Sequence, residues 1–272
     1  MYAQLDLGEI YAPLKGLRYR FNFGPDFRYY RNGTFRNEES ISSEGKNRAS
    51  LSNQSDFSWT LDNLIYYDKE FGKHSVGLTL LQSATGYHYE ESSMAAEGIP
   101  LESAKWNALS KENVSLLDEW NSGLIEKQLL SYMFRVNYDY NNKYLLTVSG
   151  RWDGASQLAE GNKWAFFPSA ALGWRLDQEE FLKDVTWLNQ LKFRLGVGVT
   201  GNSAIDPYQT KGAIVSLYYP FGSALAPGYA ASEPLIKDGA VAMANKNLSW
   251  EKTTQYNICL LYTSPSPRDR TR

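Results

Sequence analysis

Hydrophobic and polar residues alternate along most of this chain. In "GLRYRFNFG", Leu17, Tyr19, Phe21 and Phe23 share one face of an extended backbone, with Arg18, Arg20 and Asn22 on the other. "YMFRVNYDY" sets Tyr132, Phe134, Val136, Tyr138 and Tyr140 against Met133, Arg135, Asn137 and Asp139. "KYLLTVSGRW" and "LKFRLGVGVTG" repeat the arrangement, with Arg151, Lys192 and Arg194 on the polar side. A period of two puts successive side chains on opposite faces of a strand; an amphipathic helix needs spacings of three and four. The pattern predicts strands at 2–11, 16–30, 49–70, 74–91, 128–140, 143–153, 165–176, 190–200 and 248–258.

The connections carry a second pattern. "PLKG" (13–16), "FGKH" (71–74) and "NNK" (141–143) are tight, and 177–190 is of medium length. They alternate with the polar stretches 31–48, 92–127, 154–164 and 201–247. Loops at both ends of a soluble sandwich face the same solvent, so nothing there makes short and long connections alternate. An outer-membrane barrel has short periplasmic turns and longer extracellular loops. The expected fold is therefore all-β, an antiparallel transmembrane β-barrel segment of roughly nine strands. Composition agrees: aromatic residues make up 14% of the 272 residues, the mean hydropathy is -0.46, and no apolar run reaches the ~18 residues of a membrane-spanning helix. A net charge of -2 and the lack of a basic cluster give no footprint for a nucleic-acid partner.

Energetics choose the face that meets lipid. An Arg or Lys at the bilayer midplane of a barrel costs about 2–4 kcal/mol. Arg18, Arg20, Arg135, Arg151 and Arg194 are accordingly expected in the lumen, where they guide a polar solute or, more economically, hold hydrogen-bond networks. Tyr29, Tyr30, Tyr66, Tyr67, Tyr138 and Tyr140 are expected near strand ends, as an aromatic girdle. Trp106 and Trp120 fall in the long 92–127 stretch and Trp164 follows another polar loop. Two roles are open to them: contact with substrate or a covering partner, since loops on a rigid scaffold often bind, or the small apolar core of a folded loop. Trp164 also suits an interfacial anchor. No nucleophile motif, phosphate loop or metal-ligand spacing is present, and His74 and His88 read as polar surface or lumen residues. No catalytic residue, metal or cofactor is expected, and the protein is not expected to be an enzyme.

Several long blocks then resemble one family. "NRASLSNQSDFSWTLDNLIYYDKEFGKHSVGLTLLQSATGYHYEESSM", "YMFRVNYDYNNKYLLTVSGRWDGASQLAEGNKWAFFPSAALGWRLDQEEFLKDVTWLNQLKFRLGVGVTGN" and "NKNLSWEKTTQYNI" are similar to the barrel of SusC/RagA-type TonB-dependent outer-membrane transporters of the Bacteroidetes. The resemblance implies a 22-strand barrel, of which residues 1–258 would supply part of the wall, with the signal, TonB box, plug domain and last strands absent from this sequence. It implies localisation in the bacterial outer membrane and import of glycan fragments or peptides. The implied partners are a SusD-like lipoprotein, the TonB complex, acting through the missing N-terminal region, and outer-membrane lipid. The rival reading from composition is a soluble or cell-surface carbohydrate-binding β-protein without a transport role.

The chain's last stretch breaks the pattern. "CLLYTSPSPRD" (259–269) resembles the in-frame translation of an adapter used in sequencing-library preparation. Residues 259–272 are therefore expected to be a non-native tail, which also accounts for the lone Cys259.

Overall fold

The computed structural model describes residues 1–110, 116–182, 185, 188–211, 215–221, 224–230, 235–237, 240–242 and 244–263. Its strands are β1 (Tyr2–Asp6), β2 (Leu17–Arg36), β3 (Arg48–Phe71), β4 (His74–Glu97), β5 (Leu116–Tyr140), β6 (Tyr144–Ala155), β7 (Trp164–Arg175), β8 (Gln190–Asn202), β9 (Val215–Phe221), β10 (Ala224–Ala230), β11 (Leu235–Lys237), β12 (Ala240–Ala242) and β13 (Glu251–Thr263). Nine of them form one sheet in the order β1-β2-β3-β4-β5-β6-β7-β8-β13, and β9–β10 and β11–β12 are separate hairpins in the longest connection. Each strand of the large sheet lies beside its sequence neighbours, and β13 follows β8 across that connection.

All nine expected strands are present, but several bounds differ. β1 stops at Asp6, whose Oδ1 accepts the Gly8 N–H at 3.0 Å and caps the single helical turn α1 (Leu7–Ile10). β2 runs on to Arg36, β4 to Glu97, and β5 already begins at Leu116. The connections expected at 31–48 and 92–127 shrink to 37–47 and 98–115, and Trp120 lies in a strand instead of a loop. Alternation is a signature of a strand with one apolar environment. Where a strand leaves the bilayer both faces meet water, the pattern fades, and backbone pairing with the neighbours still extends the ladder. β13 runs from Glu251 to Thr263, five residues beyond its expected end; residues 264–272 lie outside the described residues.

The chain divides into two compact units. The first comprises residues 1–23, 61–84 and 129–272. Within it, registers across β5, β6, β7, β8 and β13 align rows of one character. Tyr138, Leu146, Leu172, Leu195 and Ile258 form one row, and Val136, Val148, Ala170, Val197 and Tyr256 the next. Rows of the opposite face read Asn137, Thr147, Ala171, Gly196, Asn257 and Arg135, Ser149, Ser169, Gly198, Gln255. The turn between β5 and β6 places Asn141 and Asn142 at φ 54° and 55°, a left-handed region that Asn tolerates better than most residues. The Asp139 carboxylate accepts the Asn142 N–H at 2.7 Å.

The tightest packing in this unit is at the β6–β7 connection. Ala155, Leu158, Ala159 and Phe167 are buried there. The Ala159 N–H donates to the Leu248 carbonyl at 3.1 Å, and the Trp250 indole N–H donates to Lys163 O at 2.8 Å. Trp250 also meets Phe167 edge-on at 5.2 Å. These contacts pin the last residues of the longest connection to a neighbouring turn.

The second unit comprises residues 24–60 and 85–128. Ser43, Ala49, Ala96 and Ile99 are buried in it. Glu97 ends β4 between two cations, accepting from Lys46 Nζ at 2.9 Å and from Arg48 at 2.7 Å. The hydrogen bond from Lys46, with the charge of Arg48, holds the Glu97 carboxyl below its ordinary pKa against the opposing effect of burial.

Candidate functional site

The site is the pair of sheet faces in the first unit. Its apolar face is open: Trp152 and Leu172 are each 55% exposed, and Ile258 is 75% exposed. Burying such residues in water-excluding surroundings is worth about 1.5–3 kcal/mol each, so a contiguous face of them calls for a solvent other than water.

Two chains of aromatic rings bound that face. At the tight-turn end Phe71 stacks on His74 at 5.1 Å, His74 meets Tyr140 at 4.9 Å, Tyr140 meets Tyr144 at 6.3 Å and Tyr144 meets Trp174 at 6.4 Å. Their polar edges are tied to one another and to the β7–β8 connection. Tyr138 Oη lies 2.7 Å from His74 Nδ1, and Glu179, in the β7–β8 connection, accepts from Tyr144 Oη at 2.7 Å and from the Trp174 indole at 3.1 Å. The Tyr144 hydroxyl, then the Trp174 indole and Lys143, hold the Glu179 carboxyl below its ordinary value. At the other end Trp164 stacks on Tyr132 at 6.2 Å and meets Trp152 edge-on at 6.5 Å, and Trp152 meets Phe166 at 6.4 Å. Trp164 and Trp174 begin and nearly end β7, about 33 Å apart along an extended strand. At a tilt of about 35–45° that is roughly 23–27 Å of height, the dimension of a lipid-facing band flanked by girdles.

The opposite face is polar and largely self-paired. The Arg18 guanidinium bonds the Asp68 carboxylate and lies 5.5 Å from the Tyr66 ring. Arg20 donates to Asn22 Oδ1 at 2.8 Å and covers the Tyr2 ring at 4.3 Å. Ser83 donates to Asp62 at 2.6 Å. Arg151 donates to Asp153 at 2.6 Å and to Ser131 Oγ at 3.1 Å. Arg135 and Arg194 are exposed. Arg194 and Lys192 line a hollow of about 550 Å³ with Asp68 and Asp139, where Gly77 and Gly173 contribute no side chain.

The five arginines singled out from the sequence thus lie on polar strand faces: Arg135, Arg151 and Arg194 on the one shared by β5–β8, and Arg18 and Arg20 beside Asp6 and Gln4 of β1. The three tryptophans are not brought together. Trp164 belongs to the ring chain. Trp106 lies over Gly33 of β2, where a Cβ would strike its indole. Trp120 is 81% exposed on β5. Of the expected girdle tyrosines, Tyr138 and Tyr140 sit in the turn-end ring chain, whereas Tyr29 and Tyr30 lie well inside the lengthened β2. Sequence reading missed Asp62, Asp68 and Asp153 as partners of the polar face, although each falls at the strand parity that would reveal it. It also missed Trp250 and Leu158, which lie in irregular segments where no period applies. Among the described residues no group of three His, Cys, Asp or Glu side chains is placed to hold a metal ion.

The family described as TonB dependent receptor-like, beta-barrel matches residues 5–264. The chain belongs to it. Among curated proteins the barrel is 33% identical over 262 residues to the TonB-dependent receptor SusC of Bacteroides thetaiotaomicron, covering 89% of this chain and 24% of that one. It is 32% identical over 258 residues to the TonB-dependent receptor P26 of Formosa agariphila, covering 92% and 25%. The chain therefore spans about a quarter of the length of these relatives. Among solved structures, the RagAB peptide importer in its closed-closed state superposes with a TM-score of 0.79 at 21% identity, over 97% of this chain and 27% of that one. TonB-dependent receptors are outer-membrane β-barrels, and an exposed apolar face flanked by aromatic rings is the kind that such a barrel turns to lipid. The rival soluble carbohydrate-binding protein would have no use for such a face.

Proposed function

We propose that this barrel is part of the wall of a TonB-dependent importer that carries glycan fragments or peptides across the outer membrane, working with a SusD-like lipoprotein. The observation that carries the reading is the two-sided sheet: a girdled apolar band on one side, a hydrogen-bonded polar face on the other. In this reading the polar face lines the lumen. Arg18, Arg20 and Arg151, already paired, shape that lining, while Arg135 and Arg194 are free to meet polar cargo. Trp120 is the aromatic best exposed for contact with cargo or lid; Trp106 packs over Gly33 of β2, and Trp164 anchors the barrel at the interface. The family resemblance implies glycan fragments or peptides, and the similar RagAB structure is that of a peptide importer. Uptake of labelled oligosaccharides and labelled peptides by the source bacterium, with and without the gene, separates the two. Loss of uptake of one class on deletion, and equal loss on removal of TonB, is expected. Uptake that survives either deletion would overturn the proposal.

We further propose that residues 259–272 are adapter-derived. From Glu251 to Asn257 the polar-face positions of β13 are Glu251, Thr253, Gln255 and Asn257; then Cys259 falls opposite Arg194 and Leu261 opposite Lys192. These two apolar positions end the polar run of β13, although Leu145 and Phe167 show that the polar face of β6 and β7 also takes apolar residues and the family match extends to residue 264. Genomic sequencing through this position is expected to replace "CLLYTSPSPRD"; finding those codons in the genome would refute it.

A further inference from the structure

The lipid-facing side carries one feature that a plain apolar wall does not need. Tyr19 Oη donates to Asn63 Oδ1 at 2.6 Å, and Asn63 Nδ2 donates to Gln82 Oε1 at 2.6 Å. The relay runs from β2 through β3 to β4 and ends on the Gln82 amide nitrogen, which donates to no described residue. These side chains share the apolar face: they lie at the parity of Phe21, Ile65 and Leu80, and Ser83 and Asp62, one position away, bond each other on the polar side. Amide donors facing hydrocarbon without an acceptor are costly.

Their height supplies a reason. Gln82 lies eight positions past His74, and Asn63 eight positions before Phe71. Tyr132 and Trp152 lie eight positions from Tyr140 and Tyr144 of the same ring chain. The free amide thus sits at the level of the outer aromatic chain, where lipid carbonyls begin. It also opens into a groove of about 410 Å³, lined by Ile65, Leu80, Tyr132, Phe134, Trp152 and Phe166. Gly150 lowers the groove's floor: a Cβ there would lie 2.6 Å from the rings of both Phe134 and Phe166, so the glycine lets those rings lie against the sheet.

We propose that this groove is a seat for one outer-leaflet lipid, an acyl chain lying along Ile65, Leu80 and Phe134 while its ester, amide or hydroxyl oxygen accepts from Gln82 Nε2. The groove continues the lipid-facing band, and an acyl lipid is the occupant that brings both the apolar chain and the acceptor at this depth. The inference rests on the apolar face being in lipid.

The test is native mass spectrometry of the receptor extracted from its outer membrane in mild detergent, with Gln82→Leu alongside. One retained lipid is expected on the parent and about tenfold weaker retention on Gln82→Leu, the effect of one lost hydrogen bond. Ordinary annular lipid predicts the reverse, since leucine makes the wall more apolar. Equal or greater retention by Gln82→Leu, or a protein in place of a lipid mass, overturns the seat. Quenching of Trp152 by brominated acyl chains, read as the difference from Trp152→Phe, tests the face separately. If Trp152 is quenched and no lipid is retained, the seat fails and the lipid-facing assignment stands; if Trp152 is not quenched, both fail.

Discussion

The assignment of faces can be tested at the centre of β6. Val148 lies midway between Tyr144 and Trp152, four positions from each ring. Four residues of strand span about 13 Å, and at a tilt of about 35–45° that leaves Val148 roughly 9–11 Å inside either aromatic boundary. Its row neighbours Val136 and Ala170 offer no acceptor. Val148→Arg therefore places a cation near the bilayer midplane, at a cost of about 2–4 kcal/mol, or roughly 30- to 1000-fold in the folding equilibrium. Thr147→Arg is the matched control one residue away. It faces Asn137 and Ala171 and forfeits only the Thr147 Oγ1 bond to Asn137 Oδ1 at 3.0 Å, about 1 kcal/mol. Urea titration of the receptor reconstituted in lipid vesicles, followed by tryptophan fluorescence and by heat-modifiable gel mobility, gives both values. Val148→Arg should lower the midpoint by at least twice as much. Equal costs, or a larger one for Thr147→Arg, would refute the argument that the aromatic rows mark the lipid side.

Two further outcomes follow from the packing and the turn-end network. Leu158→Ala removes a side chain only 2% exposed. Local opening should become about 3 kcal/mol easier, raising hydrogen exchange roughly a hundredfold in 155–163 and also in 247–250, because Ala159 and Trp250 couple the two segments; exchange confined to 155–163 would break that link. For Glu179 the folded pKa lies below the ordinary value of 4.5, so its stabilisation is complete above that value and is lost as pH falls through the lower folded value. Fluorescence of the Tyr144–Trp174 end should hold steady down to about pH 5 and change below 4.5, and Glu179→Gln should abolish that acid transition; an unchanged transition in the variant would assign it to another carboxylate.

The elements legible in the sequence were those with one face in lipid. β6 and β8 were found with small errors because every second residue had to be apolar, a constraint strong enough to appear without neighbours. The same reasoning failed at "SSMAAE" (92–97) and at "SGLIEK" (122–127), which are strand in β4 and β5. There the partner strand supplies hydrogen bonds whatever the side chains are, and both faces are chemically free. Trp120 was misplaced for that reason. Parity could have put Asp68 on the polar face but not named its partner: Arg18 and Asp68 lie 50 positions apart, and only the pairing of β2 with β3 makes them neighbours.

The same constraint explains where specificity can reside in such a barrel. Across β5–β8 the apolar rows cannot take a charge without meeting the cost worked out for Val148, and the ring chains are tied through Glu179 and His74 to the turns. The freedom lies on the polar face and in the connections beyond the outer rings. Of the five arginines singled out on the polar face, two already have a carboxylate: Arg18 has Asp68, and Arg151 has Asp153. Arg135 and Arg194 are exposed there, and substituting them should alter which polar solutes pass while leaving folding nearly unchanged. Arg18→Ala should leave that selectivity unchanged, since Arg135 and Arg194 stay intact, and should cost stability only about 0–1 kcal/mol, the worth of an exposed pair. A variant set in which uptake selectivity follows Arg18 and stability follows Arg194 would mean that the lining is organised by contacts other than those between β2 and β3.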